Sequence, residues 1–141
     1  MLRKRSRARE VALQLLFQHD LNTGVDRPAI ERFVHERLRE RELESYSLGL
    51  FDGVRAHIGS LDDSIGRAAE NWRVARMAVV DRNVLRLGCY ELRHSTETPV
   101  PVVLDEAIEL ARRYGSADSP AFVNGILDRI SKTEARTDAS A

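Results

Sequence analysis

Five cationic residues near the start of the chain have the types and spacing to bind an anionic ligand. Arg3, Lys4, Arg5, Arg7 and Arg9 fall within seven positions that contain no acidic residue. The whole chain is balanced, with 22 Lys+Arg against 22 Asp+Glu, so this cluster is a local feature. Short basic clusters attract polyanions, nucleic acid first among them. The alternative is a solvated N-terminus that binds no ligand.

Two aromatic residues lie at positions that suit stacking on unpaired bases. Phe17 belongs to a second apolar stripe on the first predicted helix, and Phe122 lies at the edge of the apolar stripe of the last one. The alternative for both rings is packing against a neighbouring helix, and for Phe17 that alternative is favoured.

The predicted start of the last helix offers a further binding element. Ser119 is expected to cap this helix, with Pro120 at its first position. The free N–H groups and positive dipole end of such a terminus suit an anion. Asp118 precedes the cap, and its carboxylate can accept hydrogen bonds from base amino groups, which favours contact with base edges. Alternatively, Asp118 merely helps to cap the helix and Phe122 fills the core.

Catalytic and metal-binding patterns are missing from the sequence. It has no Gly-rich phosphate loop, no GxSxG and no HExxH. The four histidines are scattered without metal-ligand spacing, and the single cysteine, Cys89, lies on an apolar helical face that indicates a core residue. We therefore expect no enzyme activity, no metal and no cofactor.

Composition is typical of a soluble globular protein. The chain has 141 residues, of which 43% are hydrophobic and 31% charged, enough for one domain with its own core. No apolar run approaches the roughly 18 residues of a membrane span, and no apolar segment follows the basic N-terminus as in a secretory signal. With one cysteine, a disulfide within the chain is excluded, and a reducing cytoplasm is expected.

About seven helices are predicted, because apolar residues recur at helical spacing and no segment alternates over strand length. The first should span Ser6–Asn22, so that the cations lie partly on a loose arm. The second should follow a cap at Asp26, and residues 36–44 should form a solvated helical face and loop. The third should start near Ser45–Ser47 and carry Ile58 inward.

The second half of the chain continues the pattern. A capping box at Ser60-x-x-Asp63 should open the fourth helix, which carries Trp72 inward. The fifth should span about Val79–His94, with Glu91 as a buried structural residue. Gly115 should end the sixth helix in the left-handed conformation. The expectation is a single all-α domain over residues 1–141, with a basic arm at 1–9 and a frayed tail at 133–141.

Several motifs resemble the bacterial NusB family of transcription antitermination factors, in order and spacing, over nearly the whole chain. They are Arg7–Glu10, Ala12–Gln14, Val80–Leu87, Tyr90–Leu92, Glu106–Ala111 and Asp118–Gly125. The C-terminal motif is quite specific. Residues 23–75 and the tail diverge, and Ser6 stands where the family often has an arginine.

The resemblance implies an all-helical fold of two small bundles packed together. It also implies binding to single-stranded boxA RNA of ribosomal RNA leader transcripts, jointly with the small-subunit ribosomal protein NusE, in a complex that modifies RNA polymerase. By matched position, Arg5, Arg7, Arg9 and the Asp118–Phe122 region would serve RNA, and Asp81 would lie in the partner-binding region. Members of the family are monomers or homodimers.

Two other functions remain open at this point. The first is a helical protein–protein interaction module whose basic arm is incidental. The second is a DNA-binding regulator, although the predicted helices lack a clear helix-turn-helix pair with a polar, exposed recognition helix.

Overall fold

The computed structural model describes residues 2–134, with side chains from Lys4 onward. This part of the chain forms seven α-helices and one short 3-10 helix and contains no strand, which confirms the all-α prediction. The helices are α1 (Leu2–Leu21), α2 (Arg27–Leu38), α3 (Arg41–Ala56), α4 (Ile58–Ala69), the 3-10 helix (Val74–Arg76), α5 (Val79–His94), α6 (Val100–Tyr114) and α7 (Ser119–Thr133).

The chain divides into two compact units, with the boundary between Arg55 and Ala56. The first unit contains α1 to α3, and the second contains the remaining helices. Each has its own buried apolar residues, as the resemblance to a family of paired helical bundles implied. The single-domain expectation stays a prediction.

Helix α1 supplies one wall of the first unit. Its predicted apolar stripe is buried, at Ala8, Val11, Ala12, Leu15 and Leu16. Burying such a stripe removes apolar area from water and stabilises the packed helices. A buried hydrogen bond of 2.9 Å, donated by the Ser47 hydroxyl of α3 to the Ala8 carbonyl, fixes the register of α3 against α1.

Helix α1 begins at Leu2 rather than at the predicted Ser6. The expectation of a partly loose arm is therefore wrong for residues 2–5, since they belong to the helix as well. Arginine and alanine favour helices intrinsically. Lys4 and Arg5 also meet partners on the rest of the unit, at Glu40 and the Tyr46 ring, and these contacts offset the repulsion between neighbouring cations.

Helix α2 begins as predicted, because the Asp26 carboxylate accepts a hydrogen bond of 3.0 Å from the Ala29 N–H. It ends at Leu38, and the next residue, Arg39, adopts a left-handed conformation with φ 56°. Helix α3 then starts at Arg41, earlier than predicted, with Glu42 in its first turn. A carboxylate in a first turn is favoured by the helix dipole, and the predicted start near Ser45–Ser47 missed this signal.

In the second unit, the bounds of α5 are those predicted from its two apolar sides. The helix passes close to α7, since a Cβ on Gly88 would lie 2.6 Å from a methyl carbon of the fully buried Leu127. Glu91 is 2% exposed, which confirms that it is buried.

Two arginines of α5 form internal ion pairs. The Arg86 guanidinium donates to both carboxylate oxygens of Asp62, each at 2.8 Å. Arg93 donates to Ser64 and, at 2.8 Å, to Glu134. These bonds connect α5 to α4 and to the end of α7, so they are part of the scaffold.

Two local predictions for this unit are wrong. Helix α4 begins at Ile58, and the Ser60 hydroxyl donates to the His57 carbonyl instead of capping a helix. Gly115 is extended, with φ −98° and ψ −165°. It is needed for space, because a Cβ there would lie 2.7 Å from the Cβ of Ser119.

Two residues that helical spacing predicts to be buried are exposed, because each lies beyond the end of its predicted helix. Ile58, expected inside α3, lies past the end of that helix and is 39% exposed. Trp72, expected inside α4, follows its end at Ala69 and is 59% exposed. Thr133 closes α7, and the rest of the predicted tail, residues 135–141, lies outside the described residues.

Candidate nucleic-acid interface

Lys4 and Arg7 keep their side chains at the surface of α1. Lys4 is 60% exposed and lies 3.2 Å from the Glu40 carboxylate, and Arg7 is 44% exposed and pairs with Glu10 at 2.6 Å. Ion pairs at such exposures are weak, so a phosphate can compete with these carboxylates. The side chain of Arg3 lies outside the part of the chain whose side chains the structure describes.

Arg5 and Arg9 both contact one aromatic ring. The guanidinium carbon of Arg5 lies 4.6 Å from the centroid of the Tyr46 ring, and that of Arg9 lies 5.5 Å away. Arg9 also donates to the Tyr46 hydroxyl at 3.0 Å. Cation–π contacts of this kind hold a guanidinium in place.

Burial separates these two arginines. Arg5 is half-buried, whereas Arg9 is only 2% exposed. Direct phosphate contact by Arg9 is therefore not available in this conformation. The sequence gives no reason to separate the five cations of the cluster. Burial of Arg9 behind Tyr46 depends on the tertiary structure, and it separates Arg9 from the accessible cations.

Phe17 lies on the second apolar stripe of α1 and is 40% exposed. Leu13, one turn earlier, is buried, and Leu21, one turn later, is 74% exposed. The stripe thus emerges into solvent along the helix. Phe17 is therefore partly accessible to a ligand, which the favoured expectation of packing against a neighbouring helix did not predict.

The start of α7 differs in detail from its prediction. Asp118, not Ser119, occupies the cap position, and the Asp118 side chain makes no capping hydrogen bond. Ser119 is buried and its hydroxyl accepts from the Ser116 N–H at 3.0 Å. The Asp118 carboxylate is exposed and is not needed for capping, so it is available to hydrogen-bond donors.

Phe122 lies one turn into α7 and is half-buried. Its ring meets the ring of Trp72 edge to face, with centroids 5.7 Å apart and an angle of 80°. The sequence did not predict that Trp72 lies at the surface, because Trp72 continues the helical spacing of the inward residues Ile65 and Ala68. The signal that ends the helix is a backbone one, the positive φ of 54° at Glu70.

Asp81 lies in the first turn of α5 and is half-buried. Its Oδ1 atom is buried without a hydrogen-bond partner among the described residues. The helix dipole favours a carboxylate at this position. A buried acceptor of this kind is suited to a donor from a binding partner.

The predicted site residues therefore fall into separate groups. The cations and Phe17 lie on α1 in the first unit, and Asp81, Asp118 and Phe122 lie on α5 and α7 in the second. Within the second unit, Trp72 joins Phe122. Each unit presents exposed charged side chains together with at least one partly exposed aromatic ring.

The described residues provide neither a metal site nor a reactive thiol. Across residues 2–134, no three His, Cys, Asp or Glu side chains are grouped to hold a metal ion. Cys89 is buried, and burial raises its pKa to about 11, so its thiol is protonated and unreactive at neutral pH. None of the helices in the described region has the length and apolar character needed to cross a membrane.

The fold and surface define a class of protein, a small all-helical one that presents a basic helix and accessible aromatic rings. The family description that matches residues 6–132 is that of the NusB family. The chain belongs to the NusB family.

Named relatives agree in sequence and in fold. The chain is 46% identical over 134 residues to the transcription antitermination protein NusB of Sorangium cellulosum (strain So ce56), covering 95% of this chain and 96% of the relative. The solved structure of T. maritima NusB has a TM-score of 0.83 and 40% identity, covering 93% of this chain and 92% of that one.

A second solved structure contains ligands. It is the crystal structure of the antitermination factors NusB and NusE in complex with dsRNA. The matched chain has a TM-score of 0.83 and 28% identity, with coverage of 95% of this chain and 100% of that one.

Proposed function

We propose that this protein is a transcription antitermination factor that binds the boxA element of ribosomal RNA leader transcripts together with the ribosomal protein NusE. The observation that carries the proposal is the match, over 95% of this chain, to a protein solved with NusE and RNA. In the resulting complex, RNA polymerase reads through terminators. The role is one of binding and regulation in the cytoplasm, without enzymatic chemistry or a cofactor.

The first unit supplies electrostatic attraction for the RNA backbone. Lys4 and Arg7 are exposed, and Arg5 is held by Tyr46 with part of its surface free. Each phosphate that they neutralise releases counterions, so affinity falls with salt. Arg9 acts as a positioning residue, since its buried guanidinium donates to the Tyr46 hydroxyl.

The second unit supplies contacts that depend on the base. The exposed Asp118 carboxylate accepts hydrogen bonds from base amino groups, and the Phe122 ring stacks on an unpaired base. Phe17 on the first unit offers a further stacking surface. Because Asp118 repels phosphate, its contribution is to selectivity rather than to general attraction.

NusE is proposed to contact the region of Asp81. The unpartnered Oδ1 atom supports this assignment, because a donor from NusE would satisfy it. Replacement of Asp81 by Ala should then weaken NusE binding while the affinity for RNA alone changes little.

The deciding experiment is a titration of fluorescently labelled boxA RNA, with and without purified NusE. We expect binding that NusE strengthens, and weaker binding to DNA of the same sequence. Asp118→Asn should alter discrimination among boxA variants, while stability changes by only a few tenths of a kcal/mol. Binding to NusE without any RNA affinity would instead support a protein–protein interaction module. Sedimentation of the free protein would decide between a monomer and a homodimer.

A further inference from the structure

The only tryptophan of the chain occupies an unusual position. Trp72 lies in the segment between α4 and the 3-10 helix and is 59% exposed. Its ring nevertheless packs edge to face against the half-buried ring of Phe122, at a centroid distance of 5.7 Å. The two rings form an aromatic corner on the surface of the second unit, with most of the indole left open.

The segment that carries this indole is held at both ends. Arg129 of α7 donates to a carbonyl in the last turn of α4 and lies 3.4 Å from the Glu70 carboxylate. At the other end, Arg82 of α5 donates to the Ala75 carbonyl at 3.4 Å. A ligand that stacks on Trp72 therefore meets a surface already in place, which lowers the entropy lost on binding.

The residues beside the indole complete a recognisable set of binding groups. Asn71, Trp72, Arg73 and Arg76 line an open cleft on the surface of the second unit. This lining combines an aromatic face, an amide with both donor and acceptor atoms, and two guanidinium groups, and it contains no carboxylate. A ligand that carries a planar ring and negative charge matches all of these groups.

We propose that Trp72 and Phe122 form a stacking site for one unpaired nucleobase of the bound RNA, with Arg73 and Arg76 neutralising the adjacent phosphates. The assignment rests on the proposed function and adds Trp72, Arg73 and Arg76 to its RNA surface. A nucleotide satisfies both halves of the cleft, since its base stacks on the indole and its phosphate pairs with a guanidinium.

The lining favours RNA over a protein partner. Tryptophan and arginine also occur at protein interfaces, but there they surround a buried core of apolar side chains. Here two arginines and an amide line the cleft beside the indole, and this lining contains no aliphatic side chain. The alternative, contact with a protein such as NusE, gives a different result in the experiment below.

Trp72 provides its own reporter, because it is the only indole in the chain. We would titrate the protein with labelled boxA RNA and follow anisotropy and tryptophan fluorescence together. Stacking of a base should quench the indole over the same concentration range in which anisotropy rises. A boxA duplex, which lacks unpaired bases, should leave the fluorescence nearly unchanged.

Three variants test the ring itself. Trp72→Leu should weaken RNA binding by roughly tenfold, whereas Trp72→Phe, which keeps an aromatic face, should retain most of the affinity. Tyr114→Leu removes another partly exposed ring of the same unit and serves as the matched control, with parental affinity expected. Thermal melting of each variant confirms that the fold is retained.

The outcomes separate this inference from the proposed function. RNA binding by the parent protein, with unquenched fluorescence and equal affinity of Trp72→Leu, would overturn the stacking site alone. A Trp72→Leu variant that keeps its RNA affinity but loses NusE binding would overturn it in favour of a protein interface. Absence of RNA binding by the parent protein would overturn both.

Discussion

Two cations on α1 of the first unit and two arginines on α5 of the second have opposite environments. In the first unit, Lys4 and Arg7 remain 60% and 44% exposed, and their acidic neighbours are weak competitors for a ligand. In the second, Arg86 and Arg93 are 10% and 16% exposed and are committed to internal carboxylates. The comparison teaches that burial separates the cations that stay accessible to a ligand from those that form part of the scaffold.

The largest effect is expected when the carboxylate of Asp62 is removed, which tests whether the buried arginines belong to the scaffold. Asp62→Ala would leave the buried Arg86 guanidinium without its bidentate partner, and we expect a loss of about 3 kcal/mol in the free energy of unfolding. Chemical denaturation would measure it. Asp63→Ala, at the exposed neighbouring position, is the control and should change stability little. A stable Asp62→Ala variant would show that the pair is not structural.

Glu91 tests the scaffold of the same helix. Because this carboxylate is 2% exposed, Glu91→Ala should lower the free energy of unfolding by about 2 kcal/mol through loss of a buried polar group. Circular dichroism melts would detect this. A parental melting temperature combined with lost RNA or NusE binding would contradict the structural role and move Glu91 into the binding surface.

Glu134 allows a test by pH. Burial raises the pKa of this carboxyl, but hydrogen bonds from Arg93, Ser64 and Arg67 lower the pKa by more. The net result is a pKa below the ordinary value of 4.5. Its stabilisation is therefore present above pH 4.5 and is lost as the pH falls through the lowered pKa. Glu134→Gln should cost about 1.5 kcal/mol at neutral pH.

The control for this test is the same comparison in acid. The difference in stability between parent and Glu134→Gln should shrink progressively below pH 4.5, because the parent carboxyl then becomes protonated too. A difference that is constant from pH 7 to pH 3 would mean that the charge of Glu134 does not support the fold.

The smallest effect on stability is expected in the first unit. The double variant Lys4→Ala, Arg7→Ala should unfold within about 0.5 kcal/mol of the parent, because both side chains are exposed. Its RNA affinity should nevertheless depend less on salt, with the log–log slope reduced by about 0.7 for each phosphate contact removed. An unchanged slope would exclude these cations from the RNA surface.

Helical periodicity predicted the core more fully than it predicted the ends of helices. The apolar stripe of α1 and the bounds of α5 follow from spacing alone, because burial of a face is a property of the whole helix. The start of α3 and the conformation of Gly115 do not, since they depend on one backbone angle at Arg39 and on the close approach of Ser119.

The candidate site was predicted in part. Residue type identified the cations, Phe17 and the start of α7, and the family resemblance added Asp81. Periodicity placed Trp72 inside a helix, and only the backbone turn at Glu70 brings it to the surface beside Phe122. The burial of Arg9 behind Tyr46 was equally invisible, because it arises from residues 37 positions apart in sequence.

The early start of α1 has a thermodynamic consequence. A flexible basic tail must become ordered when it binds RNA, and that ordering has a large negative heat capacity change and an unfavourable entropy. Here residues 2–9 are already helical, so their charges have a fixed spacing of about 1.5 Å along the helix axis for each residue. RNA association should therefore show a small heat capacity change by calorimetry, with a favourable entropy from released counterions.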